Sequence, residues 1–210
     1  MSSASSAPTD QPASFEFTPD NLAQAQAHIA KYPPGRQASA VLPLLYLAQR
    51  QHDNWVPRAA MDCIADLLGM ARIRVYEVAT FYTMFNLTPV GQHFFQICTT
   101  TPCWLRGSEA VVKACEHKLA IKMGETTSDG KFTLKEVECL GACVNAPIIQ
   151  VNDDFYEDLD AATTEALIDA LKHGEKPPVG SMKQRQASAP QGGKTTLKEL
   201  DFARGSDASR

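Results

Sequence analysis

Four of the six cysteines fall into two close pairs, Cys98-x4-Cys103 and Cys139-x3-Cys143. Thiolates are soft ligands. Four of them with no nearby histidine suit either a [2Fe-2S] cluster or a Zn(Cys)4 site. The x4 and x3 spacings are looser than the usual x2 zinc knuckle, which favours iron–sulfur. Chance pairing of buried free thiols is the bland alternative. The pattern is neither a C-x-x-C redox pair nor plant-type ferredoxin spacing. Gly141 and Pro102 shape the two loops, where backbone N–H groups could donate to sulfur and tune a potential. Cys63 and Cys115 lie in helical, apolar surroundings and read as core. The five histidines have no ligand spacing and receive no role.

These thiols need a scaffold. Thr18-Pro19-Asp20-Asn21 is an N-cap with proline in the first turn, and Pro33-Pro34-Gly35 stops the helix it opens. Ser39 can cap a second helix through Gln51. Trp55-Val56-Pro57 opens a third, ending at Gly69, and a fourth runs from Ile73 to Phe85. On that helix Tyr76, Phe81, Tyr82 and Phe85 share helical spacing, as core or as a docking face. Its two neighbouring arginines, in an acidic chain, make DNA reading a poor fit.

After Pro89-Val90-Gly91 the pattern changes. His93–Ile97 is a β-prone run ending at Cys98, and Gly107–Leu119 is helical. Strands follow at Phe132–Val137, Pro147–Val151 and Phe155–Glu157, then a helix over Ala162–Leu171. The expected order β-α-β-β-β-α is a small sheet with two helices against it. Both cysteine pairs follow strands, so two loops at one end of the sheet can converge. The fold class expected is α+β.

Composition gives the outer ranges. Residues 1–17 are Ser/Ala/Pro-rich and read as disordered. Residues 18–88 form a helical domain, 89–173 the domain with the paired thiols, and 174–210 a polar, mildly basic tail read as disordered. A docking peptide at Leu197–Phe202 is the sharper reading of that tail. The net charge of -4 argues against general nucleic-acid binding. No run approaches the roughly 18 apolar residues of a membrane helix. The first basic residue is Lys31, so neither a secretory nor a transit signal is expected. The reading is cytoplasmic, where thiols stay reduced.

The segments Cys98-Thr-Thr-Thr-Pro-Cys103-Trp-Leu-Arg-Gly107 and Cys139-Leu-Gly-Ala-Cys143-Val-Asn-Ala-Pro147 closely resemble one family, the E-type, thioredoxin-like [2Fe-2S] component of the proton-pumping NADH–quinone oxidoreductase, respiratory complex I. Val75-Tyr-Glu-Val-Ala-Thr-Phe-Tyr-Thr-Met-Phe85 is similar to the same family, and the resemblance covers about residues 18–173. It implies an N-terminal helical bundle followed by a thioredoxin-like [2Fe-2S] domain. Cys98, Cys103, Cys139 and Cys143 match the four ligand positions one by one. It also implies a partner subunit that binds NADH and FMN, with no catalytic residue and no complete active site on this chain. The expected location is the inner face of a bacterial cell membrane, peripheral and held through the complex. Related subunits of NAD-linked hydrogenases and formate dehydrogenases share the motifs, and a zinc-stabilised adaptor is the non-redox alternative. Whether Pro147, just before a strand, is cis is left open by the sequence, although the thioredoxin-like position that the resemblance implies suits a cis bond.

Overall fold

The computed structural model describes residues 11–190, together with 192, 193 and 196. The docking peptide at 197–202 lies outside them. Helices and sheet are mixed, and the chain forms two compact units. The first holds the described residues up to Phe94 with Thr126–Thr133; the second holds Phe95–Glu125 and the described residues from Leu134.

The first unit carries α1 (Pro19–Ile29), α2 (Val41–Gln51), α3 (Arg58–Leu68) and α4 (Arg72–Phe81). The Thr18 side chain accepts from the Asn21 amide, as an N-cap should. A 3-10 turn over Gln37–Ala40 precedes α2, so Ser39 is not its cap. Gly69 ends α3 in the left-handed conformation at φ 62°. The apolar stripes meet in one core, with Leu44, Leu45, Ala48, Ile64, Ala65, Val75 and Ala79 buried.

Helix α4 stops at Phe81, four residues earlier than the pattern suggests. Residues four apart share a helix face, so a continued helix would align Phe85 with Phe81. Phe81 is 76% exposed, whereas Phe85 is buried and packs edge-on against Tyr46 at 5.2 Å. The break allows those opposite fates. Residues 11–17, whose composition reads as disordered, also have specific partners. Phe15 and Phe17 pack against the helical core, and Gln51 Nε2 donates to the Glu16 carbonyl at 2.7 Å.

A five-stranded sheet has the order β2-β1-β3-β4-β5, from β1 (His93–Cys98), β2 (Phe132–Val137), β3 (Ile149–Val151), β4 (Asp154–Glu157) and β5 (Gly180–Ser181). β3 runs antiparallel to both neighbours, with Ile149 opposite Ile97 and Tyr156. β5 has no signature in the polar tail; it pairs parallel with β4, Tyr156 opposite Gly180. In the second unit α6 (Ser108–Leu119) packs on α7 (Ala161–Lys172), and Lys118 Nζ meets Asp169 Oδ2 at 2.7 Å. Asp160 and Thr163 form a reciprocal capping box at the start of α7. Among the described residues no helix is long and apolar enough to cross a membrane.

Candidate iron–sulfur site

Cys98 is the last residue of β1 and is buried. Its amide donates to the Ile148 carbonyl at 3.3 Å, which ties the strand end to the residue before β3. The chain then enters a short helix, α5 (Thr101–Leu105), with Pro102 in its first turn. Cys103 therefore lies on a helix rather than in the open loop that its spacing suggests, and it is fully buried.

Cys139 follows β2 and is exposed, and Cys143 is half-buried at the start of a 3-10 turn over Cys143–Asn145. Between them Gly141 has φ 83°, a conformation that suits glycine. The Ala146–Pro147 bond, which the sequence left open, is cis. All six cysteines are free.

The two loops meet. The Leu140 amide, from the second loop, donates to the Cys98 sulfur, from the first. The Cys139 and Cys143 sulfurs stand 3.3 Å apart. Cys98, Cys103, Ala146 and Ile148 form one buried cluster, with Leu140 and Ala142 packed on it. Thr99 Oγ1 donates to Glu136 Oε1 at 2.5 Å, joining the two strand ends that launch the loops.

The electrostatics divide the thiols. Burial pushes Cys98 up, but hydrogen bonds from the Thr100 side chain and amide, the Cys103 thiol and the Leu140 amide outweigh it, and its pKa falls below the ordinary value. Burial, then the neighbouring Cys98, pushes Cys103 up to about 12, against the Ile148 amide. The bond with Cys139, then burial, raises Cys143.

This donor set fits a [2Fe-2S] cluster. A two-iron cluster takes two ligands per iron, and the thiols come as two pairs, one buried and one facing solvent. Amides of Thr100, Leu140 and Ile148 donate to sulfur, as an anionic sulfur centre requires. Among the described residues, no group of three or more His, Cys, Asp or Glu side chains stands in an arrangement that would hold a metal ion.

Sequence reasoning missed the Leu140 and Ile148 amides, because any residue supplies an amide. Of the other cysteines, Cys115 is buried as expected. Cys63 is half-buried and lines an open cavity of about 530 Å³ with Arg58, Asp62, Asp66 and Arg72. Apolar side chains rim the thiol loops: Trp104 is 55% exposed, and Leu105 and Val144 are exposed.

Comparison with known proteins gives the family. Residues 25–172 match the family model described as thioredoxin-like [2Fe-2S] ferredoxin. The E-type component of the NADH-quinone oxidoreductase of Rickettsia typhi is 59% identical over 74% of this chain and 91% of its own length. The mitochondrial NADH dehydrogenase [ubiquinone] flavoprotein 2 of Dictyostelium discoideum is 52% identical over 88% of this chain and 75% of its own. A crystal structure of an air-oxidized NAD+-reducing [NiFe]-hydrogenase shares the fold at TM-score 0.56 and 22% identity, over 64% of this chain and 23% of that one. The chain belongs to the thioredoxin-like [2Fe-2S] ferredoxin family and, within it, to the group of NADH-quinone oxidoreductase components.

Proposed function

We propose that this chain is the electron-transfer subunit of the NADH-oxidising module of an NADH-quinone oxidoreductase. Cys98, Cys103, Cys139 and Cys143 are its ligands for one [2Fe-2S] cluster. FMN and NADH belong to a partner subunit. The observation that carries the reading is the convergence of two thiol pairs from separate loops, with the Leu140 amide of one loop on the Cys98 sulfur of the other.

When bound, the cluster supplies one-electron chemistry at a potential suited to exchange with a flavin. The chain's own residues do three things. The buried Cys98 and Cys103 anchor one side of the site away from water. The Thr100, Leu140 and Ile148 amides direct partial positive charge at the sulfurs, which favours the anionic state. Cys139 is exposed and Cys143 half-buried, and the exposed Trp104 and Leu105, next to Cys103, and Val144, next to Cys143, give a flavin-bearing partner apolar surface to approach.

The finer parts of the reading are a functional division into residues 18–88 and 89–173, an N-terminal helical bundle that serves assembly, and a peripheral position on the inner face of a bacterial cell membrane through the complex. Identity of 59% to the Rickettsia typhi oxidoreductase component, against 22% to the hydrogenase, favours this parent complex over a hydrogenase.

The deciding experiment is anaerobic purification of the full chain with metal and sulfide analysis and a visible spectrum. About two irons and two sulfides per chain, bleached by dithionite, support the reading. One zinc in a colourless protein overturns it in favour of a structural adaptor.

A further inference from the structure

The segment after α7 returns to the ligand loop. It lies beyond residues 25–172, which the family model matches. β5 brings the chain alongside β4, and the Met182 amide donates to the Glu157 carbonyl at 2.9 Å. Arg185 then turns inward, its side chain 12% exposed, onto Asp158, whose side chain is 5% exposed.

The guanidinium contacts are directional. Nε donates to Asp158 Oδ2 at 2.8 Å and Nη2 to Asp158 Oδ1 at 3.0 Å, a two-point pair. Nη2 also donates to the Val144 carbonyl at 3.1 Å and to Asn145 Oδ1. Nη1 donates to the Ala189 carbonyl at 3.0 Å. Val144 and Asn145 directly follow Cys143.

The loop is held from the other side as well. Asn145 is buried, and its Nδ2 donates to Glu157 Oε2 at 2.5 Å and to the Ala187 carbonyl at 3.0 Å. The Asp158 amide donates to the Asn145 carbonyl at 2.7 Å. Ser181 Oγ donates to Asp158 Oδ2 at 2.6 Å and stands within reach of the Lys183 and Arg185 amides. An ion pair serving stability alone has no need of a third acceptor on the backbone next to a ligand cysteine.

We propose that Arg185, paired with Asp158, is a positioning residue for the Cys139–Cys143 loop. It pins Val144 and Asn145 and so fixes the Cys143 thiol against Cys98 and Cys103. A lysine cannot replace it, because one ammonium on a flexible stem does not span a carboxylate, an amide oxygen and a carbonyl at fixed angles. The proposal rests on the ligand set of the proposed function.

The test compares the full chain with its R185Q, R185K and S181A variants, each purified anaerobically with whatever metal it holds. Hydrogen exchange at the Asn145 and Ala146 amides is followed by mass spectrometry, iron release to bipyridyl by absorbance, and the dithionite-reduced state by EPR. In R185Q both exchange and iron release rise about tenfold, and the EPR lines shift or broaden, while exchange in α6 and α7 is unchanged. R185K recovers less than half of the loss. Wild-type exchange, release and EPR in R185Q overturn the proposal, as does full recovery in R185K.

If R185Q does not fold, S181A decides. It removes only the hydroxyl that braces Asp158, and about threefold faster exchange at Asn145 supports the latch. Unchanged exchange overturns it. An iron-free wild type overturns the cluster assignment instead, and the exchange comparison still decides whether Arg185 holds the loop.

Discussion

The Cys139 and Cys143 sulfurs stand 3.3 Å apart across a turn in which Gly141 takes φ 83°. A Cβ at Gly141 would meet nothing within 4 Å, so the requirement for glycine there is one of backbone, not of space. Gly141→Ala should strain the turn by about 1–2 kcal/mol and loosen the solvent-side thiol pair. Iron content per purified chain should fall, with the circular dichroism of the helices unchanged. Wild-type iron content would show that the turn tolerates the strain.

Cys139 and Cys115 separate ligand from core. Cys139 is exposed, so Cys139→Ala should leave the melting temperature of the metal-free protein nearly unchanged and abolish the visible absorbance. Cys115 is buried, and burial raises its thiol to about 12. Cys115→Ala should lower stability by about 1–2 kcal/mol and keep the full absorbance. A spectrum that survives in the Cys139 variant would remove it from the ligand set.

Gly91 meets a different limit. A Cβ there would lie 2.8 Å from both the carbonyl carbon and the nitrogen of Phe132, which are backbone atoms with little room to yield. Gly91→Ala should cost about 1–3 kcal/mol, read as a lower urea midpoint. An unchanged midpoint would mean that the Phe132 strand end moves freely.

The Asp158–Arg185 pair sets an acid limit. Burial would raise the Asp158 carboxyl, but the Arg185 and Ser181 hydrogen bonds outweigh it and hold the carboxyl below its ordinary range. A depressed folded-state pKa gives stability that is present above the unfolded value of about 3.9 and is lost as pH falls through the folded value. Urea midpoints measured downward from pH about 5 should therefore drop more steeply in wild type than in Asp158→Asn. Parallel curves would show that the pair does not contribute there.

Trp104 tests docking. It is 55% exposed beside the thiol loops, with its Nε1 donating to Glu109 Oε1 at 3.1 Å. Trp104→Ala should leave the visible spectrum intact and weaken co-elution with a flavin-bearing partner subunit, a loss of about tenfold or more in affinity. Equal co-elution would place the interface elsewhere.

The thiol pairs are legible in the sequence because ligand chemistry resides in side-chain type and short spacing, and both survive in a string of letters. Thr18, Gly69 and the apolar stripes of α2 and α3 are legible for a similar reason: each acts within one or two turns of its own position. Phe81 and Phe85 are harder. Their helical spacing is real, but the gain from burying Phe85 against Tyr46 breaks the helix between them. Phe15 and Phe17 escape a sequence reading for want of partners, since their neighbours along the chain are mostly Ser, Ala and Pro.

The sequence by itself determined that this chain carries two soft-ligand pairs, that helices precede a mixed segment of strands and helices, and which family its motifs resemble. Those features depend on local conformation and residue chemistry. Tertiary structure decided which backbone amides face the sulfurs, which thiols are buried, and that Arg185 from a polar tail reaches the loop after Cys143. Such relations join residues far apart in the chain, and their energies arise only when folding removes water and brings the groups within hydrogen-bond distance.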